Sequence, residues 1–140
     1  MKIIPKIETN LEIEAPREKV FAILDDGNQL PVWNLAVNEI TEIKSGTYFA
    51  KTAVGDTTST RIETKVPEII STKQEGSILT KMGYVLKSLG DKTDATIWAE
   101  YDNPDDEKIL LSTGKVFLKS LKKYAEYLEQ GGNPKDFKKK

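Results

Sequence analysis

Cysteine and histidine are both absent from this 140-residue chain. The first absence excludes disulfides, thiol nucleophiles and thiolate metal sites. The second removes the side chain that most often serves as general base or metal ligand near neutral pH. An excess of one charge is lacking too: 21 Lys and Arg stand against 22 Asp and Glu, a net charge of -1. That balance argues against a nucleic-acid footprint, which needs a field of one sign. No apolar run is long enough to span a bilayer and no stretch reads as a secretory signal, so a cytoplasmic location without integral membrane association is expected. Phosphate-loop, Gly-x-Ser-x-Gly and calcium-loop spacings do not occur, and neither a metal nor a cofactor is expected. Ser-x-x-Lys occurs at Ser112 and Lys115 and again at Ser120 and Lys123. Without the companion motifs of a serine acylase, both copies read as chance in a lysine-rich helix.

What is present suits one globular domain with a core: 38% of residues are hydrophobic and 31% charged. The clearest signal lies between residues 102 and 132. Asn103 suits an N-cap, Pro104 the first helical position, and Asp105, Asp106 and Glu107 load the first turn with negative charge. Leu110, Gly114, Phe117, Leu121, Tyr124, Ala125 and Leu128 then recur on one face, with Lys108, Lys115, Lys119, Lys122 and Glu126 largely opposite. Gly131, Gly132 and Pro134 stop the helix. The domain is expected over 1–132, followed by a basic, flexible tail over 133–140.

Before the helix the texture is mostly extended. Residues 6–14 alternate, with Ile7, Thr9, Leu11 and Ile13 on one face, and predict a half-wet strand. Pro16 opens a short helix carrying Val20, Phe21, Ile23 and Leu24, and residues 29–34 form a second one with Trp33. Strands are then predicted over 37–44, 47–54, 57–66, 69–74, 77–89 and 93–101, separated by Gly-containing or Pro-containing turns. Short turns make consecutive strands antiparallel neighbours. The result is an α+β plan in which a curved seven-stranded antiparallel sheet wraps the long C-terminal helix.

This order resembles the START/SRPBCC superfamily, with its Bet v 1-like and polyketide cyclase/dehydrase-like members. The resemblance is carried by the alternation at Ile7, Thr9, Leu11 and Ile13 running into Ala15-Pro16-Arg17-Glu18-Lys19-Val20-Phe21. Leu30-Pro31-Val32-Trp33-Asn34, Gly46-Thr47 and residues 93–102 before the last helix complete it. It covers residues 4–130. It implies a helix-grip fold with a cavity between sheet and helix, a small hydrophobic ligand, and Trp33 near the cavity mouth. Fold of this kind does not by itself assign function.

Strand parity nominates the lining. Thr58, Thr60, Ile62, Thr64 and Val66 form one row, Thr80, Met82, Tyr84 and Leu86 a second, and Ala95, Ile97, Ala99 and Tyr101 a third. Gly114 on the apolar stripe of the helix either leaves room for a ligand or for close contact with a strand, or is simply a tolerated weak helix position. The binding set expected is therefore Trp33, Thr60, Ile62, Thr64, Met82, Tyr84, Ile97, Ala99, Tyr101, Gly114, Phe117 and Leu121. Trp98 has the opposite parity to Ile97 and Ala99 and faces outward. Candidate proton-transfer groups are Glu39, Glu63, Glu100, Asp102, Tyr84 and Tyr101, and no catalytic set emerges from them.

Three functional classes follow. The first is a carrier or sensor that buries a small hydrophobic or amphipathic ligand, oriented by Thr or Tyr hydroxyls. The second is a cyclase/dehydrase-type enzyme, and the third a protein-interaction module of the chaperone-activator type, with a patch around Trp98. A monomer or weak dimer is expected.

Overall fold

The computed structural model describes residues 4–140, so the first three residues of the expected 1–132 domain lie outside the described residues. The chain forms β1 (Lys6–Ile13), α1 (Arg17–Asp25) and a 3-10 turn (Gly27–Gln29) leading into α2 (Leu30–Trp33). The strands β2 (Val37–Lys44), β3 (Thr47–Thr52), β4 (Gly55–Lys65), β5 (Ile69–Glu75), β6 (Leu79–Ser88) and β7 (Thr93–Tyr101) follow. A 3-10 turn at Pro104–Asp106 then opens α3 (Glu107–Glu129). All seven strands share one sheet in the order β1-β7-β6-β5-β4-β3-β2. Every pairing is antiparallel. The one long closure in sequence is β1 on β7, running from Lys6 opposite Glu100 to Ile13 opposite Thr93.

Helix α3 begins and ends as its sequence dictates. The Asn103 side chain accepts from Asp105 N–H at 3.0 Å, satisfying one of the unpaired amides of the first turn. At the other end Gly131 takes a φ of +91°. Gly132 N–H then donates to Tyr127 C=O at 2.9 Å and Gly131 N–H to Leu128 C=O at 3.0 Å. This paired closure needs the left-handed conformation that glycine adopts without strain. Between these ends α3 packs on β1 and β7.

That packing makes a filled core. Ile13, Val20, Phe21, Leu24, Trp33, Leu86, Ala95, Leu118, Leu121, Tyr124 and Ala125 belong to its larger cluster. Ile7, Leu79, Ala99, Tyr101 and Leu110 form a smaller one near the start of α3. The α2–β2 link is tied down by side chains: Leu35 N–H donates to Ser120 Oγ at 3.2 Å, and Ala36 N–H to Asn34 Oδ1 at 2.9 Å.

Residues 133–140, expected as a basic, flexible tail, contain a 3-10 turn (Pro134–Asp136) and contact the domain. Phe137 stacks edgewise on Tyr124 with centroids 4.7 Å apart and lies 5.0 Å from Tyr127. Lys139 Nζ donates to the carbonyls of Asn34 at 3.2 Å and Val37 at 3.0 Å. One aromatic ring in a lysine-rich segment supplies the apolar anchor, and the lysine caps two carbonyls of the α2–β2 link.

Candidate functional site: a cavity under β2–β6

Helix α3 covers the β1–β7 side of the sheet, and a cavity of about 110 Å³ opens under the remaining strands. Its roof comes from Leu24, Gly27 and Leu30 on the α1–α2 segment and from Phe117 on α3. Its floor is the concave face of the sheet: Val37 and Ile40 on β2, Tyr48, Ala50 and Thr52 on β3, Thr57, Ser59 and Arg61 on β4, Ile70, Thr72 and Gln74 on β5, and Met82 and Tyr84 on β6. A second space of about 30 Å³ lies beside it under the first half of α3, walled by Ile7, Ile97, Ala99, Leu110 and Gly114. Met82 and Phe117 line both spaces, as do Val54 and Leu79. The cavity exists for a simple reason: most inward residues of β3–β5 are short, and α3 does not reach across to fill the gap.

The floor divides into an apolar and a polar part. The register places Thr72 opposite Met82, and Ile70 opposite Tyr84. One pair of strands away, Ser59 stands opposite Gln74, and Arg61 opposite Thr72. Thr57 Oγ1–H donates to Gln74 Oε1 at 2.8 Å, and Gln74 Nε2–H donates to Ser59 Oγ at 2.9 Å and Thr72 Oγ1 at 2.7 Å. This network satisfies a largely buried amide, as a buried polar group requires.

The end of α1 and the turn after it are tied to β4 and β3. Arg61 Nη1 donates to Asp25 Oδ1 at 2.8 Å and to Thr64 Oγ1 at 3.1 Å, bridging helix and sheet. A Cβ placed on Gly27 would fall 2.9 Å from the Tyr48 ring, so only glycine lets that ring lie under the α1–α2 turn. Burial, and then the nearby Glu42 carboxylate, push the Tyr48 phenol above its ordinary pKa. Burial pushes Tyr84 up further, and its hydroxyl has no hydrogen-bond partner among the described residues. Both phenols are protonated at neutral pH and can donate rather than abstract a proton.

Of the expected binding set, Met82, Tyr84 and Phe117 line the larger cavity, while Ile97, Ala99 and Gly114 line the smaller one. The other six belong elsewhere or differ in role. Trp33 and Leu121 are 0% exposed and are core residues; neither borders the cavity, so Trp33 is not at its mouth. Tyr101, at 2% exposure, packs in the smaller cluster with Leu79 and Leu110. The β4 row requires correction. Thr57, Ser59 and Arg61 face the cavity, which turns Thr58 and Thr60 to the convex side. Ile62 sits at a register shift between Arg61 and Glu63 and is 51% exposed. Beyond that bulge Thr64 pairs with Ile70 and returns to the concave side, at an exposed end outside the cavity. Val66 is exposed as well.

Trp98 lies on the convex face over Gly83, where an added Cβ would come within 2.7 Å of the indole, and Lys6 Nζ stands 5.2 Å from the ring centroid. The carboxylate candidates Glu39, Glu63, Glu100 and Asp102 do not line either space. The sequence reading missed the Thr57, Ser59, Thr72 and Gln74 network. Its available signal was the i, i+2 row Ile70, Thr72 and Gln74, which continues one face of β5. Among the described residues no cluster of three or more acidic residues is arranged to hold a metal ion. No described helix is long and apolar enough to cross a membrane.

A scan against protein-family models finds no match, and a search of curated proteins finds none either. Solved structures do match in shape. A START superfamily protein from Mycobacterium smegmatis superposes with a TM-score of 0.80 at 15% identity, covering 88% of this chain and 98% of that one. The Zhui aromatase/cyclase from Streptomyces sp. R1128 gives 0.78 at 17% identity, covering 94% and 100%. The Aha1 protein of Colwellia psychrerythraea, solved as a dimer, gives 0.70 at 18% identity, covering 87% and 96%. Identities this low speak to architecture. The chain has the START/SRPBCC helix-grip fold.

Proposed function

We propose that this protein binds a small hydrophobic or amphipathic molecule in the cavity under β2–β6, as a carrier or sensor. The observation that carries this reading is the cavity itself: about 110 Å³, walled mainly by Leu24, Leu30, Ile70, Leu79, Met82 and Phe117, with hydroxyls and one amide grouped on the floor. Apolar walls with a few convergent polar groups are what a ligand pocket requires. An apolar cavity of about 150 Å³ holds benzene, so the space as it stands suits roughly one ring or a short acyl chain. A longer ligand would displace Phe117 or Met82 and join the smaller space.

A cyclase-type enzyme is the second reading. It is favoured by the protonated Tyr48 and Tyr84 phenols on the cavity and by the shape shared with an aromatase/cyclase. It ranks lower because no carboxylate lines the cavity to take a proton. A chaperone-activator role ranks third, since Trp98 is half-buried on Gly83 rather than standing free in a patch. Native mass spectrometry of the purified protein, followed by solvent extraction, tests the first reading. A bound apolar molecule, or a rise in Tm when one is added, is expected. A protein that takes up no apolar probe at millimolar concentration would exclude the role.

A further inference from the structure

From the hydrogen-bond order of the cavity floor we propose that Ser59 and Thr72 form a subsite for a neutral hydrogen-bond acceptor, a carbonyl oxygen above all. The inference rests on the binding role proposed above and specifies which ligands fit it. Gln74 is 7% exposed, and its carboxamide is used on both sides. Oε1 accepts from Thr57 Oγ1–H at 2.8 Å, the shorter of that hydroxyl's two contacts (the Glu75 carbonyl stands at 3.2 Å), while the two hydrogens of Nε2 go to Ser59 Oγ at 2.9 Å and Thr72 Oγ1 at 2.7 Å. A hydroxyl that accepts from an amide keeps its own hydrogen to give. Neither hydroxyl donates to any group among the described residues, and both residues line the cavity. Ser59 and Thr72 belong to successive concave-facing rungs of the β4–β5 ladder, Ser59 opposite Gln74 and Arg61 opposite Thr72, with the outward Thr60–Lys73 rung between them. Two donors therefore open side by side on an apolar space without an acceptor.

Charge decides the class of acceptor. Arg61 borders the same space, but Asp25 neutralises it at 2.8 Å. A carboxylate entering here would lose its hydration without a free cation to meet it, and a cation would face donors only. A neutral ketone, ester or quinone oxygen loses little hydration and gains up to two hydrogen bonds. Gln74 acts as a positioning residue: its orientation turns the hydroxyl hydrogens toward the ligand. With the amide reversed, both hydroxyls would donate to Oε1 and no donor would be left.

The test uses two probes of similar shape, acetophenone and ethylbenzene, titrated by NMR into the wild-type protein and into the Ser59→Ala/Thr72→Val double variant. The double variant should weaken acetophenone about tenfold, the order expected for two net hydrogen bonds, and leave ethylbenzene unchanged or tighter. Ser59→Ala alone, a milder change, should weaken acetophenone about threefold and serves if the double variant does not fold. Gln74→Glu, whose carboxylate accepts from both hydroxyls, should lower the acetophenone-to-ethylbenzene affinity ratio by a similar factor to the double variant. An unchanged ratio in the Ser59 and Thr72 variants overturns the subsite and leaves the cavity reading standing. Benzoate binding more tightly than acetophenone overturns its neutrality. Failure of both neutral probes to bind the wild-type protein overturns the cavity reading, and the subsite falls with it.

Discussion

On the β1–β7 side of the sheet, Ile13 and Ala95 interlock with Leu118 and Leu121 of α3, and all four are at most 2% exposed. On the β3–β5 side, short inward residues (Ala50, Thr52, Thr57, Ser59 and Thr72) stand among the larger Tyr48, Arg61, Ile70 and Gln74, and a cavity remains above them. One continuous sheet thus carries a filled half and a hollow half. Side-chain length makes the difference, together with the path of α3, which packs on β1 and β7. The filled half holds the fold together, and the hollow half is left to contribute recognition. If that division is right, the same kind of substitution should have opposite consequences on the two sides.

The largest expected effect is a truncation in the filled half. Leu121 is 0% exposed at the centre of the larger cluster. Leu121→Ala should lower the unfolding free energy by about 3–4 kcal/mol, read by urea denaturation at unchanged m-value. A loss below about 1 kcal/mol would mean that the filled half is loosely packed after all. Enlargement gives the second contrast. Ala95→Leu at a 0% exposed position should cost about 1–3 kcal/mol through overpacking. Ala50→Leu projects into the cavity and should be neutral or stabilising by up to about 1 kcal/mol, while displacing ethylbenzene. Equal losses from the two enlargements would erase the distinction between the halves.

The filled half also contains a pH-dependent tie. Glu126 Oε2 accepts from Glu14 N–H at 2.9 Å and from Lys122 Nζ at 2.6 Å, pinning α3 to the end of β1. Burial raises the Glu126 pKa, but the hydrogen bonds from Lys122 and Glu14 and the Lys122 charge outweigh it, so the carboxyl sits below its usual value. A depressed folded-state pKa contributes stability that is present above the unfolded carboxyl pKa and is lost as pH falls through the folded one. Glu126→Gln should therefore cost about 1–2 kcal/mol at pH 7 and less at pH 3, measured by denaturant midpoints across that range. A cost that grows toward acid would contradict the assignment.

The plan of the filled half was far more legible in the sequence than the floor of the hollow one. Apolar periodicity from Leu110 to Leu128 and the stop signals at Gly131 and Gly132 locate α3, because a helix stripe and a glycine-dependent turn each have one physical solution. The succession from β2 to β7 followed from turn spacing in the same way, whereas the place of β1 beside β7 is a long-range pairing that turn spacing does not encode. Parity of β4 did not, because Thr57, Thr58, Ser59 and Thr60 place similar side chains on both faces and give alternation nothing to read. Ile62 then suggested an inward row, whereas the bulge at Arg61 and Glu63 exposes it. Trp33 and Phe137 illustrate a different limit. A single aromatic shows that something is covered, but its partner is set by tertiary approach: the core cluster for one, Tyr124 and Tyr127 for the other.

Gly114 gives the smallest and most discriminating effect, because it lies on the border between the two halves. It is buried on α3, and an added Cβ would meet Ile97 Cγ2 at 3.5 Å and Ile7 Cδ1 and Thr9 Cγ2 at 3.8 Å, all ordinary contacts. A mid-helix glycine costs about 1 kcal/mol relative to alanine, and nothing in the packing demands its absence of a side chain. Gly114→Ala should therefore raise the unfolding free energy of the ligand-free protein by about 1 kcal/mol, the helix-propensity gain joined by partial filling of the smaller space. Calorimetric Tm would report it. If stability falls instead, α3 and β7 must be closer in solution than this packing allows, and the smaller space belongs to the filled half. A rise in stability together with weaker binding of a long-chain probe and unchanged binding of ethylbenzene would assign glycine there to ligand room. It would also put the path from the larger cavity to the smaller one past Phe117.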